Sequence, residues 1–323
     1  MADIKPIAGM KRKRLKDEIP LSTPYSIYFF PTNLCNFRCN YCAHYGGMKK
    51  FEEEYGLKAE SMSFSTFMRA VEQMKKFPEK FKVINLSGQG EPLLNPHLAD
   101  MIRYAKEADV ADRIEIITNG SLLNEELSEK LIDAGLDCIR ISLQGMTDRQ
   151  YKDTCGIEVD VQKLFTEIEY FYQHKRQCEV YVKIMDIALN DGEEAVFYHE
   201  FENKSDRMYV ECCKPVYDSV DKTSGIQLGT DRYGRRHNPR MVCPLPFYML
   251  GILPDGTVSP CETIYIPQVL GNIWQAELTD MWQGEKMKAF QKMQMQKKRK
   301  DNPQCARCCA PDDVAHPEDC LDE

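Results

Sequence analysis

Three cysteines near the amino terminus constrain this chain more than any other feature of its sequence. Cys35, Cys39 and Cys42 follow the apolar residues 25–30 at the spacing C-x3-C-x2-C. Three thiolates on one loop can hold three irons of a cubic iron–sulfur cluster and leave the fourth iron without a protein ligand. An open metal position is what the binding of a reactive molecule requires. The alternative is half of a zinc site or part of a disulfide set.

The motif resembles the signature of the radical S-adenosylmethionine (SAM) enzymes, C-x3-C-x-aromatic-C, with Tyr41 in the aromatic place. The resemblance implies a [4Fe-4S] cluster whose open iron chelates the amino and carboxylate groups of SAM. It also implies that an electron from the cluster cleaves SAM to a 5'-deoxyadenosyl radical, which abstracts a hydrogen atom from the substrate. The cofactor carries this chemistry, and the protein supplies placement and excludes side reactions.

The composition favours an enzyme of the reducing cytoplasm. The chain has 323 residues, 43% of them hydrophobic, so we expect one large domain with a smaller appendage. Its 14 cysteines, without a signal-peptide pattern, indicate metal ligation more than disulfides. No apolar run approaches the roughly 20 residues that span a bilayer. The net charge of −8 argues against a nucleic-acid partner, and we interpret the basic residues 11–14 and 286–300 as a solvated tail and a solvated helix face.

Apolar or β-branched runs alternate with helical patterns along most of the chain. The predicted strands are residues 25–30, 82–87, 113–118, 138–142, 178–185 and 207–212. The predicted helices are residues 64–76, 96–108, 125–135 and 161–175, and one through residues 196–201. Ser63 and Asn124 are the expected helix caps. Six strand–helix units require parallel pairing with right-handed crossovers, so we predict an α/β fold built on a partial (β/α)6 barrel, as the resemblance also implies.

Polar residues follow the predicted strands, where a parallel barrel places its site. Residues 87–92 read Ser-Gly-Gln-Gly-Glu-Pro and resemble the family's Gly-Gly-Glu-type turn, whose main-chain groups meet the methionyl amine of SAM. Gln89 stands in place of a second glycine. The resemblance implies SAM-binding roles for Tyr41, Gly88, Gln89, Gly90, Glu91, Asn119, Ser142 and Gln144.

Two further candidates concern the reaction itself. Lys183 alternates with apolar neighbours on the fifth predicted strand, so it either lines the barrel and pairs with the SAM carboxylate or lies exposed at the strand end. Cys213, at the end of the sixth strand, could return a hydrogen atom to the substrate, and Cys155, in a predicted loop, is a second candidate donor. We expect Cys138 and Cys178 to be core residues.

A second set of cysteines lies in the last third of the chain. The order is C-x17-C-x43-C-x2-C, and a turn at residues 254–256 would bring the second thiol beside the first. The set resembles the Twitch domain, a short relative of the SPASM extension, and implies one auxiliary [4Fe-4S] cluster, with a four-thiolate zinc site as the alternative. Its ligands would be Cys243, Cys261, Cys305 and Cys308. Whether Cys309 or Cys320 replaces one of them stays open.

These patterns divide the chain into a basic extension (1–24), the barrel (25–235) and a Twitch/SPASM-like domain (236–323). Similarity to the aminocyclitol (2-deoxy-scyllo-inosamine) dehydrogenases implies an oxidoreductase that oxidises a sugar or cyclitol alcohol by two electrons, with a donor such as flavodoxin or ferredoxin. Peptide modification is the first alternative, although only about 24 residues precede the first predicted strand. A radical sugar epimerase and a non-enzymatic zinc or electron-transfer module are the others.

Overall fold

A single sheet of ten strands organises the computed structural model, which describes residues 1–6, 12–214, 216 and 229–322. The strands are β1 (Asp3–Ile4), β2 (Ser26–Phe29), β3 (Phe81–Leu86), β4 (Ala111–Thr118), β5 (Cys138–Leu143), β6 (Glu179–Met185), β7 (Arg207–Glu211), β8 (Met249–Ile252), β9 (Thr257–Ser259) and β10 (Gly271–Asn272). Strands β2 to β7 lie side by side in chain order and are all parallel. This part of the sheet is the partial barrel that the sequence predicts.

The helices cross over between the parallel strands and continue into the carboxyl-terminal part of the chain. They are α1 (Leu15–Glu18), α2 (Gly47–Tyr55), α3 (Phe64–Met74), α4 (Leu98–Ala108), α5 (Glu125–Asp133), α6 (Asp148–Cys155), α7 (Val161–His174), α8 (Glu193–Phe201), α9 (Leu278–Trp282), α10 (Glu285–Met295), α11 (Pro303–Arg307) and α12 (Ala310–Asp313). The predicted caps are confirmed, because Ser63 and Asn124 accept hydrogen bonds from the third residue after them. No helix in the described ranges has the length and apolar character to cross a bilayer.

The sheet extends beyond the six predicted strands at both edges. Strand β1 pairs with β7, and β8 pairs with β2, both in parallel. Strand β9 then returns antiparallel to β8, which confirms the predicted turn at residues 254–256. Two-residue strands such as β1 are too short to carry an alternating pattern, so only their partner's backbone reveals them.

The basic residues 12–14 are exposed, as predicted, but the segment that carries them is not a free tail. Arg12 forms an ion pair with the buried carboxylate of Asp319. The side chain of Leu15 is 2% exposed and packs in an apolar cluster with Val242, Phe247 and Leu321. The amino-terminal segment is therefore packed against the carboxyl-terminal part of the chain. Lys11 lies outside the described residues.

The apolar faces of the crossover helices pack on the sheet and form the core. Phe29 of β2 meets Phe67 of α3 with ring centroids 4.7 Å apart. Cys138 and Cys178 are buried at the starts of β5 and β6, which confirms them as core residues. Met287 and Phe290 are buried on α10, so the basic residues around them occupy its solvated face.

Candidate functional site

The three amino-terminal cysteines lie on one loop between β2 and α2, called here the cysteine loop (residues 31–46). Cys39 is buried, whereas Cys35 and Cys42 are half-buried. The main-chain N–H of Phe37 donates to Cys35 Sγ at 3.4 Å, and those of Ala43 and His44 donate to Cys42 Sγ. Burial raises the pKa of the Cys35 and Cys42 thiols. Ionised sulfur at this place therefore calls for a bound cation, which suits a metal cluster.

A second turn packs directly on the cysteine loop and is called here the glycine turn (residues 87–92). A Cβ atom on Gly90 would lie 2.3 Å from the carbonyl oxygen of Leu34 and 2.4 Å from that of Thr32. Gly88 has a φ of +60°, and a Cβ there would lie 2.7 Å from Phe30 Cα. Only glycine allows this approach of the two backbones, so the glycine turn and the cysteine loop share one fixed arrangement.

The carboxylate of Glu91 is part of the internal support of this turn. Its Oε1 accepts from Leu93 N at 3.0 Å and from Thr118 Oγ1 at 2.6 Å, while Oε2 accepts from Asn119 N at 2.8 Å. The side chain is buried, and burial raises the pKa of its carboxyl to about 7, although the three hydrogen-bond donors act to lower that pKa. Glu91 therefore joins the ends of β3 and β4, and its oxygens are already engaged by the protein.

Gln89 connects the glycine turn to two distant parts of the chain. Its carbonyl oxygen accepts a hydrogen bond from His44 Nε2 at 2.6 Å, and its Nε2 donates to the carbonyl oxygen of Glu262 at 3.3 Å. His44 is buried and stacks on Phe51, and burial lowers the pKa of its imidazole. The sequence placed His44 near the cysteines but contained no sign that it holds the glycine turn.

The remaining SAM-contact candidates lie around the same edge of the sheet. Asn119 Nδ2 donates to Asn36 Oδ1 of the cysteine loop at 2.9 Å. Gln144 Nε2 donates to the carbonyl oxygen of Ser142 at 2.9 Å, and Gln144 Oε1 is buried without a hydrogen-bond partner. Tyr41 packs against the core beside Cys39 and Cys42. The structure therefore brings these predicted residues to one side of the barrel.

Lys183 lies inside the barrel, so the alternative of a lysine exposed at the strand end is wrong. Its side chain is 9% exposed, and Nζ lies 2.8 Å from Glu211 Oε2. Tyr181 donates its hydroxyl to Glu211 Oε1 at 3.1 Å, and Arg232 Nη1 lies 3.6 Å from Glu211 Oε2. Burial lowers the pKa of Lys183, while Glu211 opposes that change. The ammonium has a protein partner already, which leaves pairing with the SAM carboxylate without support.

Lys183 and Glu211 begin a row of buried, ion-paired side chains that ends near the second cysteine set. Arg232 continues it by pairing with Asp313 of α12 through two hydrogen bonds. Sequence patterns assigned no role to Arg232 or to the residues 229–235 around it. The backbone of Arg232 is held between the end of β7 and α12, because Cys212 N donates to Arg232 O at 2.7 Å and Arg232 N donates to Asp313 O at 2.9 Å.

Deeper in the barrel, the wall carries polar atoms without partners. Tyr28, Asn85 and Glu115 are register partners on β2, β3 and β4, so they face the same side of the sheet. Glu115 pairs with Arg140 of β5. Asn85 is fully buried, and neither its amide nitrogen nor its oxygen has a hydrogen-bond partner, as is also true of Arg140 Nε. Such groups indicate a bound polar molecule or water.

The second cysteine set lines a single apolar cavity, called here the auxiliary cavity. Its four thiols face apolar walls from Leu245, Pro246, Phe290 and Pro311; they belong to Cys243, Cys261, Cys305 and Cys308. Thiolate sulfur in an apolar shell is a donor set that suits iron–sulfur clusters. Within the described residues, no three Cys, His, Asp or Glu side chains form a group that could hold one metal ion, and Cys309 and Cys320 do not line this cavity.

The two candidate hydrogen donors occupy different surroundings. Cys213 follows β7 and is buried, with its N–H donating to Asp186 Oδ1 at 2.8 Å and with Arg232 and Asp313 among its charged neighbours. Cys155 is the last residue of α6, so the prediction of a loop at this position is wrong. The residues of α6 are strongly polar, which hid the helix, although Thr147 caps it.

Comparison with known families decides the class of this site. The profile described as the radical SAM superfamily matches residues 29–193, about half of the chain. This chain belongs to the radical SAM superfamily. The SPASM profile, described as an iron–sulfur cluster-binding domain, matches residues 243–309. These matches confirm the α/β fold, a SAM-binding [4Fe-4S] cluster and auxiliary iron–sulfur binding.

Several relatives share parts of the sequence. A tungsten-containing aldehyde ferredoxin oxidoreductase cofactor-modifying protein of Pyrococcus furiosus is 26% identical over 82% of this chain and 82% of its own length. A probable GTP 3',8-cyclase of Methanococcus maripaludis is 38% identical, but over only 38% of this chain and 37% of its own length.

Solved structures resemble the chain in fold. BtrN, solved in complex with AdoMet and 2-DOIA, aligns with a TM-score of 0.58 and 18% identity over 91% of this chain and 97% of that one. SuiB of Streptococcus suis, bound to the precursor peptide SuiA, aligns with a TM-score of 0.62 and 16% identity over 85% of this chain and 68% of that one. At these identities the likeness extends to the fold alone.

Proposed function

We propose that this chain is a radical SAM oxidoreductase that converts an alcohol of a small sugar-like or cyclitol substrate to a carbonyl. The observation that carries this proposal is the polar barrel wall, which continues through the buried ion pairs of Glu211, Arg232 and Asp313 toward the auxiliary cysteines. A substrate hydroxyl both donates and accepts hydrogen bonds, and the unpaired amide of Asn85 offers one atom of each kind.

Residue roles follow from the arrangement of the two cysteine sets. We assign the SAM-binding cluster to Cys35, Cys39 and Cys42, and a single auxiliary cluster to the four thiols of the auxiliary cavity. When bound, SAM and its cluster would supply the radical that removes a hydrogen atom from the alcohol carbon, and the auxiliary cluster would supply an acceptor for the second electron as the hydroxyl loses its proton. The backbone of Gly88, Gln89 and Gly90 meets the methionyl end of SAM. We further assign Asn119, Ser142 and Gln144 to contacts with its ribose or carboxylate.

The short path between the barrel interior and the auxiliary cavity supports the transfer of that second electron. Glu262 follows the auxiliary residue Cys261 directly in sequence, and its side chain is hydrogen-bonded to Tyr28 of the barrel wall. On the other side, Arg232 pairs with Asp313, which lies five residues after Cys308. A substrate held against this wall would be connected to the auxiliary residues through Tyr28 and Glu262.

The relatives favour a small molecule over a peptide. BtrN was crystallised with AdoMet and 2-DOIA, and the alignment covers nearly all of that chain. The Pyrococcus relative is a cofactor-modifying protein. Peptide modification is the second candidate, because SuiB and anSMEcpe were crystallised with peptides and align comparably well. We further propose a flavodoxin or ferredoxin as the electron donor and the cytoplasm as the location.

The test is anaerobic incubation of the reconstituted enzyme with SAM, dithionite and a panel of cyclitols, aminocyclitols and sugars. We expect 5'-deoxyadenosine together with a two-dalton loss from one compound. In C305A, 5'-deoxyadenosine should still form while the carbonyl product disappears, because the second electron has no acceptor. C320A, which alters a cysteine outside the auxiliary cavity, should behave as wild type.

Three results would contradict the proposal. Carbonyl formation at the wild-type rate in C305A would remove the auxiliary site from the reaction. A product of unchanged mass in H₂O that gains one deuterium at carbon in D₂O, with this uptake lost in C213A, would identify an epimerase with Cys213 as the donor. Modification of a peptide, with none of the alcohols consumed, would identify the second candidate function.

A further inference from the structure

A fourth thiol, that of the candidate hydrogen donor Cys155, lies against the amino-terminal cysteine set, and the proposed function gives it no role. Cys155 is fully buried at the end of α6, and its side chain is hydrogen-bonded to that of Cys39. The electrostatic influence of Cys155 also reaches Cys35 and Tyr41. The sequence separates Cys155 from Cys39 by more than a hundred residues, so this neighbourhood is a product of the fold alone.

The last turn of α6 is fixed to the cysteine loop on both sides of Cys39. Arg38 N donates to the carbonyl oxygen of Cys155 at 3.1 Å, and Asn40 N donates to that of Thr154 at 2.9 Å. Carbonyl groups at the end of a helix lack partners within the helix, and here the cysteine loop supplies them. One turn earlier in α6, Tyr151 meets Phe37 edge-to-face with ring centroids 6.1 Å apart. The position of Cys155 relative to Cys39 is therefore set by backbone contacts as well as packing.

We propose that Cys155 is a positioning residue that donates its S–H to the Cys39 sulfur and so raises the reduction potential of the SAM-binding cluster. In the present arrangement Cys155 Sγ donates to the carbonyl oxygen of Tyr151 at 2.9 Å. When Cys39 ligates iron it carries no proton, and its thiolate sulfur is an acceptor that attracts the Cys155 proton by its charge. The S–H of Cys155 would then turn from the carbonyl oxygen of Tyr151 to that sulfur.

The expected effect follows from the charge that reduction adds to a cluster. A hydrogen bond to a ligating sulfur stabilises the more negative, reduced state and so raises the potential. Loss of the donor should lower it, and the electron donor would then reduce the cluster less completely. This inference depends on Cys39 as a cluster ligand and not on the identity of the substrate.

The experiment compares the reduction potential of the holoenzyme across a matched set of variants. C155A and C155V remove the donor, and valine also fills the space, whereas C155S keeps a donor. C178A removes another buried thiol, in the core at the start of β6, and serves as the control. Each protein is reconstituted anaerobically, its iron is counted, and the EPR signal that changes on SAM addition is followed during a redox titration.

We expect C155A and C155V to hold wild-type iron but to show about a tenfold smaller ratio of reduced to oxidised cluster at a fixed potential, a shift of about 59 mV. C155S and C178A should stay close to wild type. Wild-type potentials in C155A and C155V, or a serine variant shifted as far as the alanine variant, would overturn the proposal. Failure of C155S to take up iron while C178A loads normally would also overturn it. An unchanged potential together with alcohol oxidation would leave the proposed function intact.

Discussion

Replacement of Glu91 by glutamine tests whether a buried carboxylate ties the glycine turn to the sheet. The side chain is 2% exposed and accepts three hydrogen bonds at 2.6 to 3.0 Å. Glutamine keeps the shape and one acceptor oxygen, but it cannot ionise and brings an NH₂ group toward the donors. The substitution therefore exchanges an ionisable group for a neutral one at the same place.

The pKa of Glu91 determines how the effect changes with pH. Burial raises it from 4.5 to about 7 in the folded chain. At a pH between these two pKa values, Glu91 holds a proton in the folded protein and has lost it in the unfolded chain. The stability contributed by this group is therefore complete below pH 4.5 and is lost as the pH rises through 7. One pKa unit corresponds to about 1.4 kcal/mol, so the whole pKa shift corresponds to about 3 kcal/mol of stability. Most of this stability is lost between pH 5 and pH 8.

The assay is urea unfolding of the cluster-loaded wild type and E91Q under anaerobic conditions from pH 5 to pH 8. The free energy of unfolding of E91Q relative to wild type should rise by about 2–3 kcal/mol across this range, because only the wild type loses stability through Glu91. Titration of every other group cancels in the difference. E126Q, which alters an exposed glutamate on α5, should show no such trend. A difference between E91Q and wild type that is constant from pH 5 to pH 8 would refute the reasoning.

Three further predictions concern other parts of the site. Gly90→Ala should weaken SAM binding by more than about tenfold, because the added Cβ would strike two backbone oxygens; titration of the cluster-loaded protein with SAM measures this. In the control Gly46→Ala the added Cβ meets only a lysine side chain. A similar loss of SAM binding in the control would contradict the prediction. Lys183→Met should lower the free energy of unfolding by about 3 kcal/mol, since it leaves the buried Glu211 short of one partner. Adding Glu211→Gln to this variant should recover part of the lost free energy. No recovery in the double variant would argue against the ion pair. Cys305→Ala should reduce iron from near eight to near four per chain, and an unchanged content would refute one auxiliary cluster.

Local patterns predicted most of the regular structure. Helix starts at Ser63 and Asn124 are as expected, because an N-cap depends on a side chain and a backbone N–H three residues apart. The apolar strands β2 to β7 were recognisable from their own residues. Strand β1 and the charged helices α2 and α6 were not predicted, since the first is two residues long and the others carry few apolar residues.

By itself, the sequence determined the class of chemistry and the succession of strands and helices, because the spacing of cysteines within one loop and the alternation of apolar residues are local properties of the chain. Tertiary structure alone decided that Lys183 faces Glu211, that Gly90 contacts the backbone of the cysteine loop, and that Cys155 lies against Cys39. Each of these contacts joins residues from different strand–helix units. Their meeting depends on how the crossovers wrap the sheet, and no local pattern records that.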